Sequence, residues 1–435
     1  MKICVVGLGK IGLPLAVQYA TKGHTVVGLD VAHAVVDAVN RGRETFPGEA
    51  GLAERLAAVA LTGHLRATTD PADAVSGCDV VVVVVPLVVD QHTGEPDFSL
   101  LDAATRSFAP HLEPGSLVCY ETTLPVGTTR TRWLPLIEDL SGLNEGDGLN
   151  VVFSPERVFT GRVFADLRRY PKLIGALTTS GAIKARAFYE AVLDFDEREY
   201  LPQANGVWDL GTAEAAEFAK LAETTYRDVN IGLANQFAKF AETAGIDVHL
   251  VIEASNSQPF SHIHKPGIAV GGHCIPVYPR LYLWNDPHAT IVQAAREANL
   301  GMPGHVVSRL AEAAGDLNGR DVAVLGAAYR GGVKETAFSG VFSLVADLQA
   351  AGARALVHDP LFTDDELSSM GFTAYHRGDP ADCIVVHTDH AEYTKWESSD
   401  VPGVRAIADG RNLIDAENWS GVRVVSLGRA LYDAT

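Results

Sequence analysis

Two stretches of this chain place glycines where a backbone must approach something closely. The first is Gly7-x-Gly9-x-x-Gly12, directly after a short β-branched run and directly before a stretch with helical spacing. Gly7 allows a tight turn, Gly9 lets the backbone approach a pyrophosphate, and Gly12 lets the helix pack on the strand while its free N–H groups face the phosphates. Asp30 follows eighteen positions after Gly12. A carboxylate there can accept hydrogen bonds from both ribose hydroxyls and repels a 2′-phosphate, so the expected cofactor is NAD. The competing reading is a strand–turn–helix corner without a ligand.

The second stretch is Gly271-Gly272-His273-Cys274-Ile275-Pro276. Cys4, Cys78, Cys119 and Cys383 lie in or beside apolar runs and read as small core residues. Cys274 alone sits in a glycine-rich loop, where backbone N–H groups favour a thiolate. Such a thiol beside an NAD domain can add to an aldehyde, and loss of a second hydride then leaves a thioester. The alternative is a free thiol buried in a turn. Glu156, in Ser154-Pro155-Glu156-Arg157, is a candidate general base at a strand end, against a surface ion pair with Arg157. Lys220, in an otherwise apolar helical stretch, is a candidate oxyanion stabiliser, against an ordinary snorkelling lysine. His249, His262, His264 and His273 have no spacing suited to a metal, and none is expected.

The elements that must position these groups read as two α/β halves around a helical middle. Residues 2–6, 11–21 and 24–29 predict a βαβ unit, and 79–85, 116–120 and 150–153 predict further buried parallel strands. Residues 212–243 predict one long helix that bridges two lobes or forms a dimer seam. A second α/β pattern follows: strands at 320–326, 353–359, 383–387 and 403–408, and a helix at 338–352. Segments 202–210 and 300–304 are the expected joints. The expected fold is thus two Rossmann-like parallel-sheet domains joined by a long central helix and a small helical domain. The expected boundaries are 1–200 for NAD binding, 201–303 for a central region with the cysteine loop, and 304–435 for nucleotide-sugar binding.

Composition sets limits on the partners. With 35 Lys and Arg against 54 Asp and Glu, the net charge is −19, which argues against a nucleic-acid partner. The apolar run at 80–89 is too short to span a bilayer and contains Pro86, so no membrane is expected and the reading is cytoplasmic. Five cysteines, an odd number without a CxxC pair, argue against a disulfide framework or structural zinc.

Together the motifs resemble the UDP-glucose/GDP-mannose dehydrogenase family nearly end to end. GLGKIGLPLA opens the chain; ETTLPVGTT, SPERVFTGR, TAEAAEFAKLAE, YRDVN and VGGHCIP follow in family order; VAVLGAAYR, VHDP, HTDH and DGRN complete it. SPER, YRDVN and GGHCIP lean towards the UDP-N-acetylmannosamine dehydrogenase branch. The resemblance implies two successive oxidations of a nucleotide hexose at C6 with two NAD, in a homodimer. By position it implies Cys274 as nucleophile, Lys220 at the oxyanion, Glu156 as acid/base and Thr123 holding the catalytic water. Lys10, Ile11, Pro86 and Thr122 join Gly7, Gly9, Gly12 and Asp30 as cofactor contacts. Arg157, Lys265, Gly267, Gly271 and Gly272 are assigned to the substrate, with Arg330 in place of a family Lys near the nucleotide. Arg411 is expected to reach the substrate from the neighbouring subunit.

The sequence departs from the family at Tyr278, where the pattern has Asp, and at Thr224, where it has Asn. Glu335-Thr336-Ala337 replaces ESP, and Lys334 replaces the preceding Arg. Water handling is the step these changes touch, so a binding protein without turnover and a dehydrogenase that stops after two electrons remain as alternatives. The base and the hexose stay open between UDP- or TDP-glucose and a UDP-N-acetylhexosamine.

Overall fold

The computed structural model describes residues 1–90 and 93–430. The chain forms two compact units, 1–222 with 280–285, and 223–279 with 286–435. Residues 201–303, read from the sequence as a central region, are shared between them. One helix, Ala213–Ala244, gives its first turns to the first unit and the remainder to the second.

The first unit is built on a nine-stranded sheet. Its main strands are β1 (Lys2–Val6), β2 (Thr25–Leu29), β3 (Leu65–Thr68), β4 (Val80–Val83), β5 (Ser116–Tyr120), β6 (Gly148–Phe153), β7 (Lys172–Ala176) and β8 (Val207–Asp209). They lie in the order β8-β7-β6-β5-β4-β1-β2-β3, and the short strand Asn144–Glu145 pairs with β6. Pairing is parallel except between β6 and β7. The Val80–Val83 run explains itself here. Val80 and Val82 enter the core on one face, Val81 and Val83 the core on the other, so every position must be apolar. The joint expected at 202–210 holds β8 instead, paired with β7 in the same sheet. Its three residues are too few to show a period.

The second unit repeats the plan with six parallel strands, β9 (Asp321–Leu325), β10 (Arg354–His358), β11 (Thr373–Ala374), β12 (Cys383–Val386), β13 (Ala406–Asp409) and β14 (Arg423–Ser426). Their order is β11-β10-β9-β12-β13-β14. Val322 and Val324 face one core, and Ala323 and Leu325 the other. The expected joint at 300–304 is a corner at Gly301 between helices Thr290–Leu300 and Met302–Ala314. Among the described residues, no helix is long and apolar enough to cross a membrane.

The long helix packs on Thr290–Leu300 through Gly232, where an added Cβ would lie 3.1 Å from the Ala295 backbone. Below that contact, Asp228 is fully buried against Arg296 at 2.7 Å and accepts from Asn299 Nδ2 at 2.8 Å. Removing one partner of a buried pair strands the other charge, at a cost of roughly 3–5 kcal/mol. Arg296→Met is therefore expected to lower the stability of the second unit by about that amount. Thermal or urea unfolding against the wild type measures it; a change within the error of the measurement would contradict the buried-pair account.

Candidate active site

In both sheets the strand order turns back beside the first strand, between β1 and β4 and between β9 and β12. Ligands bind at the carboxyl ends of strands at such points. In the first unit, Gly7 has φ +91° and donates to the Leu29 carbonyl at 2.8 Å. A Cβ on Gly12 would sit 1.8 Å from the Gly7 oxygen, while one on Gly9 would meet nothing within 4 Å. The turn is thus closed against side chains at Gly12 and open at Gly9. Asp30 holds it from the side, accepting from Leu8 N–H at 2.8 Å and Ala32 N–H at 2.9 Å. Lys10 is exposed and Ile11 half-buried at the start of helix Gly12–Thr21. Pro86 follows β4, and Thr122 after β5 donates to the Val85 carbonyl at 2.6 Å. All the expected cofactor contacts therefore gather at the ends of β1, β2, β4 and β5, and the open turn fits a dinucleotide.

The second unit fills the matching place differently. Gly326 donates to the His358 carbonyl at 2.7 Å, as Gly7 does to Leu29. Asp359, the counterpart of Asp30, is buried and accepts from Ala327 and Ala328 N–H at 2.8 and 2.9 Å. His390 Nε2 lies 3.1 Å from the same carboxylate. That turn is tied to its own protein and leaves no open glycine for a pyrophosphate.

Glu156 follows β6 and meets a partner that sequence reasoning missed. Lys172 Nζ, at the start of β7, lies 2.9 Å from Glu156 and 3.0 Å from Glu121 at the end of β5. Glu156 is thus held in a buried ion pair, and its Oε1 also accepts from the Arg157 backbone N–H at 2.7 Å. Burial drives Glu121 upward from the ordinary carboxylate range. Burial pushes Glu156 the same way, but Lys172 and the Arg157 N–H outweigh it and hold the group ionised. Lys172 stays charged because its two carboxylates outweigh its own burial. The signal for Lys172 was a lysine opening an apolar strand, which on its own reads as a strand end.

Thr123 is buried in the loop after β5. That loop is fixed by Glu217, which accepts from Gly127 N–H at 2.5 Å, Thr129 N–H at 3.0 Å and Thr129 Oγ1 at 2.6 Å. Glu217 stands one helical turn before Lys220, so one helix both clamps the Thr123 loop and carries the lysine. Lys220 and Thr224, a further turn along, are both buried.

In the second unit, the loop that carries Cys274 is pinned along its length. Asn230 donates to the His262 carbonyl at 2.7 Å and accepts from His264 N–H at 2.9 Å. Asn235 accepts from Gly267 N–H at 2.9 Å and donates to Asn299 at 2.8 Å. Ile268 N–H reaches the Gly410 carbonyl at 3.1 Å, and Gly272 N–H the Ala337 carbonyl at 2.9 Å. A Cβ on Gly271 would lie 2.4 Å from the Tyr329 Cβ, and Gly272 has φ +92°. Here the glycines serve close packing on Tyr329. Cys274 is half-buried; Cys4, Cys78, Cys119 and Cys383 are buried. The Cys274 carbonyl accepts from Tyr278 N–H at 2.9 Å, which opens helix Tyr278–Asn285.

Lys265 and Arg330 are exposed, Arg330 with its guanidinium 5.8 Å from the Tyr329 ring centroid. Arg411, expected to serve a neighbouring subunit, lies against its own chain: its Nε donates to the His387 carbonyl at 2.6 Å, and its Nη1 is 3.0 Å from where a Gly267 Cβ would be. Among the described residues, Phe338 and Asn412 are the non-glycine positions with left-handed φ, +50° and +53°. Both flank this loop, where strain of this kind is commonly stored at functional sites.

Comparison with known proteins decides the family. The UDP-glucose/GDP-mannose dehydrogenase family matches in three consecutive parts: its NAD binding domain over residues 1–193, its central domain over 214–300 and its UDP binding domain over 323–416. The chain belongs to this family. It is 36% identical over 426 residues to the UDP-N-acetyl-D-mannosamine dehydrogenase of Pyrococcus horikoshii, covering 95% of this chain and 96% of that one. It is 31% identical over 435 residues to the NDP-N-acetyl-D-galactosaminuronic acid dehydrogenase of Ralstonia nicotianae, covering 98% and 97%. A solved structure of the UDP-D-ManNAc dehydrogenase from Pyrococcus horikoshii matches with a TM-score of 0.87 at 34% identity, over 99% of each chain. The protein is an NAD-dependent nucleotide-sugar dehydrogenase, and its NAD binding domain lies in the first unit.

The clamp on the Thr123 loop has a pH signature. Burial pushes Glu217 from 4.5 up to about 7. The folded protein therefore keeps a proton that the unfolded chain releases. Stability contributed by Glu217 is complete below about pH 4.5 and is lost as pH rises through about 7. Glu217→Gln fixes the neutral form. Its thermal midpoint relative to wild type is expected to rise between about pH 4.5 and 7 and to level off above, the total being about 3 kcal/mol. A constant difference across that range would place the carboxylate in water.

Proposed function

We propose that the protein oxidises the C6 hydroxyl of a UDP-N-acetylhexosamine of the mannosamine type to the carboxylate in two steps, through a thioester on Cys274. The observation that carries this reading is Cys274 itself, the one cysteine of five outside the core, on a loop held by Asn230, Asn235 and Gly410. The sugar is proposed from the names of the relatives, several of which are UDP-N-acetyl-D-mannosamine dehydrogenases.

NAD, which the Gly7–Gly12 turn and Asp30 would hold, would supply the hydride acceptor for each oxidation. In the first, the C6 hydroxyl loses its proton to a base, assigned to Glu156, and becomes an aldehyde. The Cys274 thiolate then adds to the aldehyde carbon, and Lys220 stabilises the oxygen that becomes negative. Loss of the second hydride from that carbon leaves a thioester. Once Glu156 has released that first proton to solvent, water placed by Thr123 loses a proton to it and attacks the acyl carbon; the carbon–sulfur bond breaks and Cys274 leaves as thiolate. Thr224 and Tyr278 stand where the family has Asn and Asp, so the water has fewer fixed partners. Gly267, Gly271, Gly272, Lys265, Arg157, Arg330 and Arg411 are assigned to the sugar and its diphosphate. A homodimer through the long helix is part of the proposal; the exposed Tyr226, Leu233, Phe237 and Phe240 on that helix support it.

The test counts NADH released per sugar from a panel of nucleotide hexoses. Two per UDP-N-acetylmannosamine with a uronate product is expected, and Cys274→Ser should release at most one and no acid. Full oxidation by Cys274→Ser would remove the thioester. Binding of the sugar without any NADH would favour a binding protein.

A further inference from the structure

The cluster of Glu121, Lys172 and Glu156 is uneven in charge: two carboxylates face one ammonium. The Glu121 side chain is 0% exposed, Lys172 4% and Glu156 11%. A structural ion pair needs one carboxylate. A second one in the same dry place is destabilising unless it holds a proton, because two like charges there cannot both ionise freely. Burial of Glu121 and the neighbouring charge of Glu156 favour the proton, while the donors around it, Lys172 and Tyr189, work against it without cancelling the rise. Tyr189, on helix Thr179–Val192, donates to Glu121 Oε1 at 2.7 Å and places its ring 4.8 Å from Lys172 Nζ. Tyr19, on helix Gly12–Thr21, has its hydroxyl 3.5 Å from the same oxygen. Cys119, two residues before Glu121 on β5, is buried and its thiol is pushed up by burial. Arg157 bonds Glu156 through its N–H, and its Nη1 lies 3.4 Å from the Pro171 carbonyl.

The backbone ties the cluster to the site. Glu156 N–H donates to the Glu121 carbonyl at 3.2 Å, and Glu121 precedes Thr122 and Thr123 in the chain. Glu156 is the least buried of the three, and a small cavity lined by Pro155, Glu156, Arg157, Tyr170 and Lys172 opens beside it.

We propose that Glu121 and Lys172 are positioning residues that set the charge of Glu156: Glu121 holds the surplus proton of the cluster, and Lys172 keeps Glu156 ionised and aimed. The proposal rests on the assignment of Glu156 as the reaction's base. In hydrolysis, Glu156 then takes one proton from the attacking water, the hydroxyl joins the acyl carbon, and Cys274 departs with the electron pair of the broken carbon–sulfur bond. Glu121 neither gains nor loses a proton in that step. Its neutrality is what leaves the whole of the lysine's charge to Glu156.

The test combines the pH profile of kcat with UDP-N-acetylmannosamine and the infrared carboxyl spectrum of the resting full-length protein, which needs no substrate. Lys172→Met should move the acid limb of kcat upward by about one pH unit or more, since the cation that depresses Glu156 is gone. Lys172→Arg should return it. Glu121→Gln, which mimics the neutral form, should keep the acid limb in place and remove one protonated-carboxyl band at neutral pH. An unmoved limb in Lys172→Met, or an unchanged band in Glu121→Gln, overturns the proposal whatever happens to kcat. If Lys172→Met does not fold, the Glu121→Gln spectrum decides. Glu156→Gln separates the two levels: wild-type turnover there removes the base assignment, whereas lost turnover beside unmoved limbs and bands removes only the proton-holding cluster.

Discussion

A parallel strand covered by helices on both sides has no side chain to spare for chemistry along its length. Val80–Val83 shows the constraint in four residues, each committed to one core or the other. Only the carboxyl ends of such strands are open, and several of the groups considered above sit there. Asp30 follows β2, Glu121 and Thr122 follow β5, Glu156 follows the end of β6, and Arg411 follows β13. The same plan occurs in both units with different fillings. Asp30 braces a turn that stays open at Gly9, whereas the buried Asp359 and His390 close the equivalent turn on itself. One sheet is thereby left able to take a dinucleotide, and the other must bind through its later loops.

Loops at strand ends have no ladder partners, so their N–H groups must be satisfied in some other way. This protein uses buried polar side chains. Glu217 takes Gly127 and Thr129, Asn235 takes Gly267, and Asp409 takes Arg411, Leu413 and Ile414. A buried carboxylate contributes little net stability. Its value is that each one fixes a loop in a single place, and a catalytic group displaced by about 1 Å loses much of its rate. Asp228 and Arg296 extend the device one layer deeper, because Asn299 links them to Asn235 and so to the Gly267 N–H.

What could be read from the chain alone was local. The glycine turn, the long helix and the half-buried loop cysteine each depend on a few neighbouring residues. The strands β3, β7, β8 and β14 were not legible. They are short, or begin with charged residues such as Lys172 and Arg423, and their pairing is decided by segments far away in sequence. Lys172 is the instructive miss. Its two partners are not its sequence neighbours but come from the end of β5 and the turn after β6, 51 and 16 residues earlier. The motif named Arg411, but only the fold shows that its own Gly267 loop lies beside it.

The two substituted positions differ in what they can change. The backbone of Tyr278 closes the turn that presents Cys274, through its N–H to the Cys274 carbonyl, and any residue except proline can do that. That bond belongs to the backbone and does not depend on which side chain stands at 278. A carboxylate there would gain from the helix N-terminus, by a few tenths to about 1 kcal/mol, and a phenol does not. A phenol also offers water a hydroxyl in place of the two acceptor oxygens of a carboxylate. Thr224 keeps a hydroxyl on the buried face shared with Lys220, but a hydroxyl has fewer hydrogen-bonding atoms than an amide. Under the proposed chemistry, neither position can carry the proton that water must lose. That duty falls on Glu156, and a lone base can perform it only if it is ionised before the water arrives. An ammonium held against it by a second, neutral carboxyl group supplies that condition without exposing the base to solvent.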